Sequence, residues 1–215
     1  MPGRKRSKVF VKLAIGAVVL VGLGYLFAFS LTTSLSEPYT VEQARLGPWT
    51  LVIEPADGPR APLLSIHTGS EVVSDLFRQL FQRAMESMNT PIAASIPIVL
   101  QAEFERGLAA DMTPDELLAA ARKAGLESQS HAPRCLAHRR ISEPGQTRQT
   151  YFVIVDSPSI VAFRAELAQR AQGPFDAAAV TPVMFVGASD AAFSRWLPIQ
   201  ATEGDCVSPI QISPR

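Results

Sequence analysis

Residues His131 to Asp156 read HAPRCLAHRRISEPGQTRQTYFVIVD, and the fold of the chain turns on what the middle of this stretch does. Glu143-Pro144-Gly145-Gln146 places proline and glycine at the two central positions of a type II turn. That turn splays a tight hairpin, so a slightly longer loop is expected at the tip. Strands folded back about Pro144 and Gly145 set Cys135 opposite Ile154 and His138 opposite Tyr151. Alternation then puts Cys135, Ala137, Phe152 and Ile154 on one face, with Leu136, His138, Tyr151 and Val153 on the other. The apolar run YFVIV is expected as a central strand.

On the C-terminal side, Ser157-Pro158 starts a helix that buries Ile160, Phe163, Leu167 and Ala171, and Gly173-Pro174 ends it. PVMFV follows as a strand, and strand, helix, strand in this order predicts a parallel, right-handed crossover. SDAAFSRWL reads as a short helix burying Phe193, Trp196 and Leu197, and CVSPIQI as a closing strand.

On the N-terminal side, WTLVIEP and PLLSIHT form a strand pair across the turn-rich ADGPRA. Val73, Leu76, Phe77, Leu80, Phe81, Ala84 and Met88 recur at intervals of three and four, the period of an amphipathic helix. SIPIVLQAEFERGLAA reads as a second helix, with Pro97 in its first turn and Leu100, Phe104 and Leu108 on one side. The strongest helix start is Thr113-Pro114-Asp115-Glu116, an N-cap threonine with proline at N1 and glutamate at N3, flanked by Met112 and Leu117 as a hydrophobic staple. Gly125 supplies the left-handed position that ends this helix after Ala124. The expected fold class is therefore α+β: one domain over residues 40–215, with a mixed β-sheet and helices mainly on one face.

The start of the chain has a different character. The whole sequence balances 20 basic against 20 acidic side chains. Arg4, Lys5, Arg6, Lys8 and Lys12 all precede the first carboxylate, Glu37, so the remainder is net acidic. That excludes a strongly basic nucleic-acid surface on the domain. Residues 13–36 carry no charge and are densely apolar to Leu31, enough for a helix to cross a hydrocarbon core of roughly 30 Å. The basic flank puts the N-terminus in the cytoplasm. The expected organisation is a cytoplasmic tail (1–12), a transmembrane helix (13–31), a juxtamembrane linker (32–39) and an extracytoplasmic domain. The setting is the cell membrane, with the domain periplasmic or extracellular. Ala28-Phe29-Ser30 offers a signal-peptidase pattern, but the apolar run exceeds the about 7 to 15 residues of a signal peptide, which favours an uncleaved anchor. Gly24 and Ala28 make a small-xxx-small pair of the kind that packs membrane helices, although such pairs are common by chance.

Catalytic signatures are weak. Cys135 and Cys206 are the only cysteines, and an oxidising compartment favours pairing them in a disulfide. A Cys135 nucleophile with His138 as base is disfavoured, because residues three apart on a strand face opposite ways. The sequence around FVGASDAAF imitates a nucleophile elbow at Ser189, but Ala191 replaces the second glycine and no histidine follows. Ser189 or Asp190 is better read as the cap of a helix beginning near Ala191. His67, His131 and His138 lack metal-ligand spacing, and no nucleotide-binding, haem or redox motif is present, so neither metal nor cofactor is expected. Arg134, Arg139, Arg140 and Arg148 gather about the hairpin as candidates for an anion or a protein partner. The functional expectation is a membrane-anchored binding, accessory or assembly protein of an envelope complex, partnered by the bilayer and another membrane or envelope protein. The alternative is an envelope hydrolase or transferase whose site draws on dispersed residues such as His138, Ser189 and Asp190.

Overall fold

The computed structural model describes residues 16–26, 37–84 and 86–214. The chain divides between Glu37 and Pro38 into two compact units. In the first, residues 16–26 are helical, and Val18, Val21 and Leu23 are exposed. The basic tail and the remainder of the expected span, 13–15 and 27–31, lie outside the described residues. Among the described residues no helix is long and apolar enough to cross a membrane.

The second unit is α+β. Its larger sheet has the order β1-β8-β5-β6-β7, built from Tyr39–Glu42 (β1), Cys206–Ser213 (β8), Ala132–Glu143 (β5), Gln146–Asp156 (β6) and Val183–Ala188 (β7). β1 runs parallel to β8 and the other pairs are antiparallel, so the sheet is mixed. Tyr39, expected to close the linker, instead opens β1 and is fully buried. Thr50–Ile53 (β2), Pro62–Thr68 (β3) and Ala94–Leu100 (β4) form an antiparallel second sheet. Three helices are Glu71–Ala84 (α1), Pro114–Lys123 (α2) and Pro158–Arg170 (α3).

The central hairpin has the expected register, with Cys135 opposite Ile154, His138 opposite Tyr151 and Glu143 opposite Gln146. The longer loop is not needed: two residues close the turn, Gly145 at φ +81°. Beyond the reach of β8 and β7 the hairpin is a two-stranded ribbon, and such ribbons twist enough to accept this turn.

Alternation along β5 and β6 feeds two separate cores. Leu136, Val153 and Val155 face the main cluster with Val72, Leu76 and Leu80 of α1, Leu117 of α2, and Ile160 and Phe163 of α3. Cys135, Ala137, Phe152 and Ile154 face a second cluster, closed by Trp196, Leu197 and Ile199 from an irregular segment. The helices thus lie on one face, and ordinary chain covers the other.

Three expectations require correction. The first half of the supposed second helix is strand β4: Ile96, Ile98 and Val99 are β-branched, and β3 offers them a partner. Pro97 is tolerated because β4 is an edge of its sheet, where a missing N–H breaks no inner ladder. Only Gln101–Glu103 and Phe104–Leu108 coil, the latter as a π turn in which the Ala109 N–H reaches the carbonyl of Phe104 at 2.8 Å. Second, β7 runs antiparallel to β6. α3 carries the chain away, but residues 171–182 bring it back to the end it left, where the Val155 N–H meets the carbonyl of Pro182 at 3.0 Å. Third, the Phe193–Trp196 helix is a single 3-10 turn.

The local helix signals are realised. Thr113 Oγ1 accepts from the Glu116 N–H while Glu116 reaches back to the Thr113 N–H at 2.7 Å, and Gly125 adopts φ +73°. Ser157 Oγ accepts from the Ile160 N–H at the start of α3. Side chains cap two sheet edges: Gln79 makes both bonds of a ladder with Thr40 of β1, and Glu127 accepts from Leu51 of β2.

Candidate functional site

Cys135 and Cys206 form a disulfide, their Cα atoms 5.8 Å apart, at the junction of β5 and β8. The bond excludes Cys135 as a free nucleophile, and His138 lies on the opposite face of β5, as alternation requires.

His138 stacks on Tyr151 with ring centres 4.4 Å apart, and its Nε2 lies 3.4 Å from Oε1 of Gln149. Burial pushes its pKa down, opposed in part by the bond to Gln149. Burial, helped by nearby Glu86, raises the Tyr151 hydroxyl to about 12. Gln149 stands between His138 and Ser189: its N–H donates to Ser189 Oγ at 3.0 Å, and its side-chain amide donates to Glu86. The Ser189 N–H in turn donates to the carbonyl of Gln149 at 2.9 Å. Ser189 therefore extends the β6/β7 ladder, and among the described residues it has no histidine as hydrogen-bond partner. Asp190 accepts from the Ala192 N–H at 3.1 Å, a local turn bond in place of the expected helix cap. The elbow-like Gly187 has a packing cause: a Cβ there would lie 3.3 Å from carbons of the Phe77 ring.

His131 is a core residue. Its Nε2 donates to the carbonyl of Leu126 at 2.9 Å, which leaves Nδ1 to accept from the Ser157 hydroxyl at 2.7 Å, and Trp49 meets the ring edge-on. Burial lowers its pKa.

The hairpin arginines do not form one patch. Arg139 chelates Asp205 at 3.0 Å and Arg148 meets Glu143 at 3.3 Å. Arg134 lies near Asp156 and Glu203, and Arg140 donates to Gln149 at 3.3 Å. Strand alternation sets Arg139 and Arg140 on opposite faces. The apolar stripe expected along α1 faces the main core, with Val73, Leu76 and Leu80 buried and Phe77, Ala84 and Met88 packed against them, and Phe81 alone of its members is half-exposed.

A cleft of about 840 Å³ lies elsewhere among the described residues. One wall is the π turn with Leu100 and Ala102, the other is Pro174, Phe175 and Ala179, and Pro59, Arg60 and Pro198 complete the rim. Glycines let the walls meet. A Cβ on Gly173 would sit 2.0 Å from the carbonyl oxygen of Arg106, and one on Gly107 would sit 3.0 Å from Pro174 O.

Beneath the cleft lies Arg164 of α3, only 1 % exposed. Nη1 and Nη2 hold the two carboxylate oxygens of Glu103 at 3.1 and 2.7 Å. The remaining donors go to the carbonyls of Ile98 (2.5 Å), Asp176 (2.7 Å) and Ala177 (2.9 Å). Glu103 also accepts from the Leu100 N–H at 2.9 Å. All five guanidinium donors are satisfied, so this pair ties β4, the π turn and the 174–179 wall to α3, with no donor left for a ligand. Sequence reading missed it. The one available signal was a charged residue at position 164, amid the buried spacing of Ile160, Phe163 and Leu167.

Among the described residues no cluster of histidine, cysteine or carboxylate side chains is arranged to hold a metal. Comparison with protein families, curated proteins and solved structures finds no match to this chain.

Proposed function

We propose that the chain is a single-pass membrane protein, anchored by residues 13–31, whose extracytoplasmic domain acts by binding, as an accessory or assembly subunit of an envelope complex. The observation that carries the reading is the Cys135–Cys206 disulfide, a bond that persists in oxidising compartments and is rare in the cytosol. The basic residues ahead of the apolar segment support the same orientation. Binding is favoured over catalysis because the 840 Å³ cleft has a floor whose charged groups are fully committed, which suits a rigid receptor surface.

Right-side-out vesicles treated with an impermeant maleimide test this. Labelling of Cys135 and Cys206 is expected only after reduction with an impermeant reductant, and protease added outside should degrade the domain. Labelling without reduction, or protection of the domain from external protease, refutes the proposal.

A further inference from the structure

The cleft carries charges that the rest of the domain does not explain. Most arginines here meet carboxylates, among them Arg45, Arg139, Arg148 and Arg170. Arg60 and Arg106 do not: among the described residues each is held by a main-chain carbonyl, Arg195 O at 3.3 Å and Ala102 O at 2.9 Å. Such bonds orient a guanidinium without neutralising it and leave further donors unused. The same rim carries Glu105 and Asp176, and among the described residues the Asp176 carboxylate accepts only from the nearby Ala178 N–H. With Arg164 and Glu103 cancelling each other below, the mouth presents two cations and two anions above walls of leucine, phenylalanine, proline and alanine. The volume lies within the roughly 300–1,000 Å³ usual for small-ligand sites.

We infer that this cleft binds a zwitterionic lipid, one acyl chain lying against Leu100, Phe175 and Ala179, the head-group phosphate on Arg60 and Arg106, and its ammonium at Glu105 and Asp176. The apolar walls ask for a hydrocarbon, and a rim of both signs suits a head group that carries both. The assignment rests on the membrane-anchored reading in one respect. On that reading the domain is anchored to a bilayer, which is a source of ligands of this class.

The full-length protein in proteoliposomes is photolysed with phosphatidylethanolamine bearing an acyl-chain diazirine, and crosslinked peptides are mapped by mass spectrometry. Labels are expected on peptides containing Leu100 and Phe175–Ala179. They should fall about tenfold in R60A/R106A, whose exposed side chains leave the core intact. A phosphatidylglycerol probe and a headless diacylglycerol probe should label these peptides less. Equal labelling by phosphatidylglycerol together with no effect of E105Q overturns the zwitterion. Labels confined to residues 13–31, or cleft labels insensitive to R60A/R106A, overturn the site. The maleimide and protease tests report on topology alone, so failure of the lipid site and failure of the membrane reading give different results.

Discussion

Replacing Arg164 with methionine should be the most damaging single change in the domain. The arginine is 1 % exposed and donates to five oxygens, two on Glu103 and three on main-chain carbonyls, one in β4 and two in the segment that follows α3. Methionine fills much of the volume but returns none of these bonds. Glu103 is left as a buried carboxylate with only the Leu100 N–H, and the carbonyls of Ile98, Asp176 and Ala177 lose their donor. Breaking one side of a buried pair costs about 3–5 kcal/mol. That is a large part of the roughly 5–15 kcal/mol that holds an ordinary domain together. With a urea slope of about 2 kcal/mol per molar, the midpoint should fall by roughly 2 M. Tryptophan fluorescence reads the transition from both sides of the sheet, because Trp49 belongs to the main core and Trp196 to the second. E103Q alone should also destabilise, whereas R164M/E103L should cost less than the sum of its parts, since the second change removes the stranded charge. An R164M cost below about 1 kcal/mol, or strict additivity in the double variant, would refute the view that this pair holds the cleft wall in place.

The remaining expectations concern other links in the fold. Reducing Cys135–Cys206, which lie 71 residues apart, should lower stability by about 4 kcal/mol on chain-entropy grounds, read as a lower urea midpoint with reductant present. His131 has a folded pKa below its ordinary 6.5, so its contribution is complete above that value and declines as pH drops from 6.5 toward the depressed folded pKa. Urea midpoints between about pH 7.5 and 5 should show this decline, and H131Q should flatten it; an unchanged slope in H131Q would assign the effect to other groups such as His138. Gly173→Ala should destabilise by about 1–3 kcal/mol, because its Cβ meets the Arg106 carbonyl at 2.0 Å. Gly204→Ala, whose Cβ would meet only Thr202 Oγ1 at 3.6 Å, should leave the melting temperature nearly unchanged.

Much of the candidate chemistry visible in the sequence dissolves into structure for traceable reasons. Ser189 looked like a nucleophile because it follows a glycine at a strand end. The glycine is there for the Phe77 ring, and the hydroxyl accepts from Gln149. The hairpin arginines looked like a cluster because they are close in sequence, yet strand geometry divides them between two faces and neighbouring acids engage three of them. Arg60 and Arg106, by contrast, are far apart in sequence, and nothing local marks either one. They line one cleft only because the π turn, the 174–179 segment and the Pro59-Arg60 turn converge.

By itself the sequence determined whatever depends on near neighbours along the chain. The symmetric hairpin about Pro144-Gly145, the capping box at Thr113, the Ser157 cap and the left-handed Gly125 need only local dihedral preferences and hydrogen bonds within a few residues. With two cysteines in the sequence, the count alone left one partner for the disulfide. Tertiary structure alone decided that residues 94–100 become a strand beside β3, that β7 turns antiparallel to β6, and that Arg164 can be buried. Each of these depends on a partner thirty or more residues away or on the path of a long connection. A short apolar run or a single arginine holds no local record of the group that will eventually meet it.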